Sequence, residues 1–261
     1  MGLFTKYTSL IFIVICTIFS THINASLITN VNTETVSYSI TTGNFGWRAS
    51  YDIGFVEQDL LIDVDVFLTG DDPGNELLNI WEQGIENIWS YAFDIFDGTF
   101  YYDIIFNIDW LSSFTGSDHT VNVTNGSGNV DLVNWYTDNP AGQGYTKQSN
   151  VAAHEFGHMV GLFDEYNGGA LDPITPLIRP DSIMGQNLTV PKADHFDAFL
   201  SWASLNSGVN SLSLESDRGN HYYEVPTPNM ALVIIMAILS LCIRSRKRFH
   251  NFMPQVSVRQ I

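Results

Sequence analysis

The sequence predicts an α+β domain, and three observations predict it: a strand-period segment at Leu60–Leu68, a helix-period segment from Asn75 to Phe93, and the running order strand, helix, strand, strands, helix. Leu60–Leu68 alternates apolar and acidic residues through its middle, the period of a half-buried strand. A turn follows at Gly70-Asp71-Asp72-Pro73-Gly74. From Asn75 to Phe93, Leu78, Ile80, Trp81, Ile85, Ile88, Trp89 and Ala92 recur at three and four, which gives a helix one broad apolar face. Tyr101 to Trp110 reads as another strand, and Val121–Val123 with Val130–Tyr136 as a hairpin across Asn125-Gly126-Ser127-Gly128. A second helix runs from Asn150 to Leu162, with Ser149 or Asn150 available as N-cap. A last helix spans Ala193 to Leu205, with Phe196, Phe199, Leu200 and Ala203 on its apolar side.

Composition bounds the function. Seventeen Phe, eleven Tyr and six Trp, with 45% hydrophobic residues, place the middle of the chain with folded globular proteins. Residues 26–225 carry all 28 acids but only Arg48, Lys147, Arg179, Lys192 and Arg218, a formal charge of -23. Such a surface repels phosphate backbones and anionic lipid head groups, so no nucleic-acid partner is expected. Both cysteines, Cys16 and Cys242, lie in the apolar ends, and the central domain is expected to fold without a disulfide.

The two ends read as addresses. Met1–Lys6 is a short basic n-region, Leu10–Phe19 an apolar core, and Thr21–Ala25 a polar stretch ending in a small residue, so residues 1–25 read as a signal peptide cleaved after Ala25. The domain is then 26–225. At the far end Pro226-Thr227-Pro228 precedes the apolar run 230–243, which Arg244, Arg246, Lys247 and Arg248 follow. That order resembles the PEP-CTERM sorting signal over 226–248, although Thr227 stands where Glu is usual and a tail, 249–261, continues beyond the basic cluster. The resemblance implies an exosortase-type processing enzyme as partner. Without processing, 230–243 is a membrane anchor that leaves the domain outside the cytoplasm.

The chemistry gathers at Asn-Val-Ala-Ala-His-Glu-Phe-Gly-His-Met-Val-Gly-Leu, residues 150–162. On a helix His154 and His158 lie about 40° apart on one face. Glu155 flanks them, while Ala152, Ala153, Phe156, Met159 and Val160 fall on the other side. One helical turn brings two imidazoles to a common zinc ion, and the adjacent glutamate can take a proton from water. A random chain of this length gives the pattern roughly once in a hundred. Gly161 can end the helix with a positive φ. Asp164, six residues after His158, is placed to supply a third ligand, with Glu165 beside it as the alternative. Asp71–Asn75 is a weaker candidate for Ca2+, with an ordinary solvated turn as the plainer reading.

The string His154-Glu155-x-x-His158-x-x-Gly161-x-x-Asp164 resembles the metzincin signature, with Asp as third ligand as in the snapalysin family. The resemblance implies a twisted mixed sheet with an active-site helix and a C-terminal helix, one catalytic Zn2+ on His154, His158 and Asp164, and Glu155 as general base. It also implies a methionine turn beneath the metal, for which Met184, 26 residues beyond His158, is the candidate. By family analogy an extended peptide or protein substrate lies along the strand near Val130–Trp135. Tyr166 is either an oxyanion donor or structural, and His195 reads as structural. The competing expectation is a non-catalytic surface or matrix protein that keeps the fold and binds zinc. No cysteine is placed to mask the zinc, and Ser26–Thr42 is short for a propeptide.

Overall fold

Alternation builds the sheet from its centre outwards in the computed structural model, which describes Ile28 and residues 31–138, 145–209 and 211–216. The signal-peptide segment 1–25 and the segments 226–248 and 249–261 lie outside the described residues. The described residues form β1 (Glu34–Thr42), β2 (Phe45–Val56), β3 (Asp59–Gly70), α1 (Gly74–Trp89), β4 (Phe93–Phe96), β5 (Tyr101–Leu111), β6 (His119–Thr124), β7 (Asn134–Tyr136), α2 (Tyr145–Met159), a 3-10 turn (Ala193–Phe196), α3 (Asp197–Asn206) and β8 (Ser213–Ser216). In β3 every second residue, Leu60, Ile62, Val64 and Val66, is fully buried, while Leu61, Asp63, Asp65 and Phe67 take the other face.

β3 organises a mixed sheet. Antiparallel β2 pairs with its first half through Asp63, and parallel β5 runs along the opposite edge. Val66 pairs with both Trp110 of β5 and His119 of β6, so β6 takes up the edge that β2 leaves. β1 extends the sheet beyond β2, and β4 and β8 extend it beyond β5. Within the stretch Ser26–Thr42, read above as short for a propeptide, Glu34–Thr42 is strand β1, paired with β2 over its whole length.

The hairpin expected over 121–136 does not form. β6 and β7 pair in parallel, Asn122 with Asn134 and Thr124 with Tyr136. The reason lies at Asp131, whose Oδ1 accepts the N–H groups of Val133 and Asn134 at 2.9 and 2.8 Å. That turn folds 131–133 back, so only Asn134–Tyr136 remains extended and it runs in the direction of β6. The first helix also ends sooner than its apolar pattern: Ser90 turns extended after Trp89, and Phe93 belongs to β4. The last helix divides into the 3-10 turn and α3.

α1 buries Leu77, Trp81, Ile85 and Trp89, each four residues after the last, in the core and against α2. Gly84 lies where the helices cross, and a Cβ there would sit 2.5 Å from the Cβ of Ser149 and 2.6 Å from its Cα. Trp89 donates its indole N–H to the carbonyl of Ala153 at 2.8 Å, which ties α1 to the turn of α2 that carries His154. No helix among the described residues is long and apolar enough to cross a membrane.

Gly84→Ala separates intrinsic helix propensity from packing. In an isolated helix alanine gains about 1 kcal/mol over glycine, whereas crowding a packed crossing costs about 1–3 kcal/mol. Because the atoms met are those of Ser149 next to the backbone, the crossing cannot relieve the clash by a side-chain rotation, and a lowered melting temperature is the expected outcome in thermal unfolding of the full chain. A raised one would show that the helices separate freely.

Candidate metal centre

α2 carries the central residues and begins at Tyr145, so Ser149 and Asn150 are inside it rather than N-caps. Asn150 instead donates through its side chain to the carbonyl of Leu188 at 2.7 Å. The helix ends at Met159 rather than at Leu162, and its end follows from Gly161, whose φ of 102° suits glycine. Gly161 N–H bonds the carbonyl of His158 and Leu162 N–H that of Gly157, the paired bonds of a Schellman motif. A Cβ on Gly161 would also meet the tip of the Tyr38 side chain, whose hydroxyl lies 2.0 Å from that position. The chain then reverses and brings Asp164 back to the helix.

Three atoms converge. The Nε2 atoms of His154 and His158 lie 3.2 and 3.3 Å from Asp164 Oδ1, all three residues are buried, and each offers one ligand atom within 4.8 Å of the others. The orientation of each imidazole is fixed from behind. His154 Nδ1 is 2.9 Å from the carbonyl of Ile183 and His158 Nδ1 is 2.8 Å from that of Leu162. A carbonyl only accepts, so both Nδ1 atoms carry the proton, and in the neutral rings the Nε2 lone pairs face the carboxylate. Asp164 is oriented too: its Oδ2 takes the N–H of Ala170 at 2.6 Å, and Gly169 lies so close that a Cβ would fall 2.5 Å from that oxygen. Oδ1 is left buried without a hydrogen bond. Two imidazole lone pairs and a carboxylate oxygen aimed at one point repel one another unless a cation sits among them, so the group can hold a metal ion.

Burial opposes ionisation of Asp164, but hydrogen bonds from His154 and His158, made when an imidazole carries a proton on Nε2, and from the Ala170 N–H outweigh it and hold the carboxyl well below the usual range. Glu155, buried beside the group, is pushed up to about 7 by burial, with His154 lowering it and Asp164 raising it. Tyr166 is pushed up to about 12 by burial and by the charges of Asp164 and Glu155. Its ring lies 6.2 Å from that of His154.

Of the two adjacent acids, Asp164 faces the imidazoles and Glu165 does not. Glu165 accepts Arg179 Nε at 3.1 Å, Arg179 Nη2, and His195 Nε2 at 3.1 Å. His195 Nδ1 accepts the N–H of Lys192, which leaves its proton on Nε2 for Glu165. Burial raises the Glu165 carboxyl, but His195, Arg179 and Ser182 together hold it down to about 2. Met184 is fully buried, and a Cβ on Gly157 would lie 2.4 Å from its sulfur, so the methionine lies directly against α2. In the acidic turn weighed for Ca2+, Asp71 accepts the N–H of Asn125 and Asp72 that of Gly74.

Sequence reasoning named His154, Glu155, His158, Asp164 and Met184 but missed Trp47 and Arg179. Trp47 donates its indole N–H to the carbonyl of His158 at 3.0 Å, and its ring meets the His158 ring edge-on at 5.6 Å. Both act across 14 to 111 residues of chain, and no local pattern marks them. The Gly168-Gly169 pair after Tyr166 was the one legible sign of a close backbone approach to Asp164.

Two cavities adjoin the group and share Val130, His154, Glu155 and Tyr166 in their lining. A cleft of about 610 Å³ is lined by Phe45, Trp47, Val130, Leu132, Val133, His154, Glu155, His158 and Asp164, among others. A second cavity of about 430 Å³ runs past Glu155 to Tyr166, Asn129, Asn167, Gln186 and Leu188. Comparison with protein-family models, curated proteins and solved structures finds no match to this chain.

Asp164→Asn tests the metal group directly. The amide keeps the shape and an acceptor for Ala170 but loses the charge, and loss of outer partners alone costs about 10–100-fold in metal affinity. The expected outcome in a chelator competition is a fall of at least that size. Unchanged affinity would show that Asp164 is not a ligand.

Proposed function

We propose that this chain is an exported, zinc-dependent metalloendopeptidase of the metzincin type. One observation carries the reading: two imidazole Nε2 atoms and one carboxylate oxygen converge in a buried group, with Glu155 beside them and two cavities adjoining it. Two nitrogens and one oxygen are a zinc donor set, and three protein ligands leave a position for water or substrate, as in catalytic rather than structural sites. The spacing of the motif residues along the helix and the following loop supports the metzincin assignment.

His154, His158 and Asp164 would hold the zinc. When bound, it supplies a Lewis acid and a water acidified to a pKa of about 7. Glu155 takes a proton from the attacking water and delivers it to the leaving amine, and its raised affinity for protons suits that exchange. Tyr166, kept protonated by burial and by two neighbouring acids, is the donor to the carbonyl oxygen of the scissile bond as charge develops there. Met184 forms an apolar floor. Its neighbour Ile183 fixes the His154 ring through its carbonyl. The substrate peptide lies in the cleft between residues 45–48 and 130–133. The ends of the chain complete the reading: residues 1–25 direct export and 226–248 sort or anchor the protein at the cell envelope.

The test is zinc content and casein or peptide cleavage for the full chain beside Glu155→Gln. The expected result is one zinc per chain in both, cleavage by the parent, and a variant slowed by at least about 100-fold. Zinc in both with cleavage in neither favours the non-catalytic surface protein, and a parent without zinc overturns the assignment.

A further inference from the structure

The β1–β2 hairpin is held against the metal loop at three points. Thr42 donates its hydroxyl to the carbonyl of Leu171 at 2.6 Å, the Tyr38 hydroxyl abuts Gly161, and Trp47 donates to the carbonyl of His158. The Trp47 ring also meets Phe163 edge-on at 5.5 Å. Beyond these ties Phe45 remains 49% exposed, and Val133, on another wall of the same cleft, is 50% exposed.

Several polar groups of these walls are engaged within the protein. Asp118 accepts from Ser50 Oγ and the Asp65 N–H, Asp131 accepts from Val133 and Asn134, His119 Nε2 bonds the carbonyl of Ser50, and Arg48 Nε bonds Ser37 Oγ. The apolar surface that the cleft offers a ligand is that of Phe45, Trp47, Leu132 and Val133. The cavity beyond Glu155 differs, because Asn129, Asn167 and Gln186 bring neutral amides to its lining.

We propose that the β1–β2 hairpin supplies one wall of a subsite that holds a bulky apolar or aromatic side chain of the substrate beside His158. The proposal rests on the reading of the cleft as a peptide-hydrolysing site. Trp47 fixes its location, since the same indole buttresses a metal ligand and faces the cleft. The hairpin thereby determines specificity, and the enzyme selects peptides with a residue such as Phe or Leu next to the scissile bond over those with Gly, Asp or Lys there.

The experiment uses the full chain and fluorogenic peptides of one length that differ at a single position. At one position flanking the cut, Phe or Leu is expected to raise kcat/KM about tenfold over Ala. Phe45→Ala is expected to lower kcat/KM for the Phe peptide about tenfold and so collapse that ratio. Ile174→Ser, which alters a residue 87% exposed and outside the cleft, leaves the ratio as it is. Binding of labelled Phe and Ala peptides to Glu155→Gln, followed by fluorescence anisotropy, reads the same preference without catalysis. A binding preference that disappears with Phe45→Ala sustains the subsite even when the parent does not cleave, and it is then the hydrolase reading that falls. Cleavage with equal rates for Phe and Ala, or a preference that survives Phe45→Ala, overturns the subsite and leaves the hydrolase reading standing.

Discussion

Six ionisable side chains, His154, Glu155, His158, Asp164, Glu165 and His195, are buried around one helix, and the surrounding backbone is arranged by what each of them requires. A buried carboxylate costs several kcal/mol unless it is paired and hydrogen-bonded. Glu165 meets that requirement through Arg179 and His195, and Arg179 in turn forks onto Asp194 at 2.8 and 2.7 Å. Asp164 meets it on one oxygen through Ala170, while the other, facing two imidazoles, is left for a cation to satisfy. Backbone carbonyls of Ile183 and Leu162 fix those imidazoles, so the segments 161–171 and 179–185 have little freedom to depart from the helix they serve.

The apolar core transmits the same order inward. Trp89 joins α1 to the carbonyl of Ala153, one residue before His154, and its ring lies 5.8 to 6.3 Å from Phe106, Phe156, His195 and Phe196. One aromatic side chain thus touches the sheet, both long helices and the histidine that anchors Glu165. The helix that carries the metal motif is buried on almost every side, which explains why its sequence shows so weak an apolar stripe. Ala152, Ala153 and Phe156 face the core, and the polar residues opposite them face a site instead of bulk water.

How far the sequence could be read depended on whether the deciding partner was local. The strand Leu60–Leu68, the strand Tyr101–Trp110 and the first helix were legible because alternation and three-four spacing are set by the residues themselves. The four central motif residues were legible for the same reason, since helix and Schellman turn place them within eleven positions. The 121–136 hairpin was misread because one side chain, Asp131, overrides the turn signal of Asn125–Gly128. Strands β1 and β2 were not legible at all: β1 is mostly polar and exposed, and its place is decided by pairing with β2 and by contacts to residues beyond 150. Which of Asp164 and Glu165 faces the imidazoles was likewise settled by Arg179 and His195, 14 and 30 residues from Glu165.

The hairpin therefore carries a consequence that a motif alone does not reveal. Both cysteines lie outside 26–225, so no disulfide braces the cleft, and its walls depend on contacts with the loop that carries Asp164. Thr42, Tyr38 and Trp47 touch that loop at Leu171, Gly161, Phe163 and the end of α2. A cation that draws Asp164 toward the two histidines relieves the repulsion among their lone pairs and so stabilises the same loop. Ordering the loop also orders the surface on which the hairpin rests. A metal ion held by the three side chains would therefore also steady the wall of the cleft that the hairpin forms.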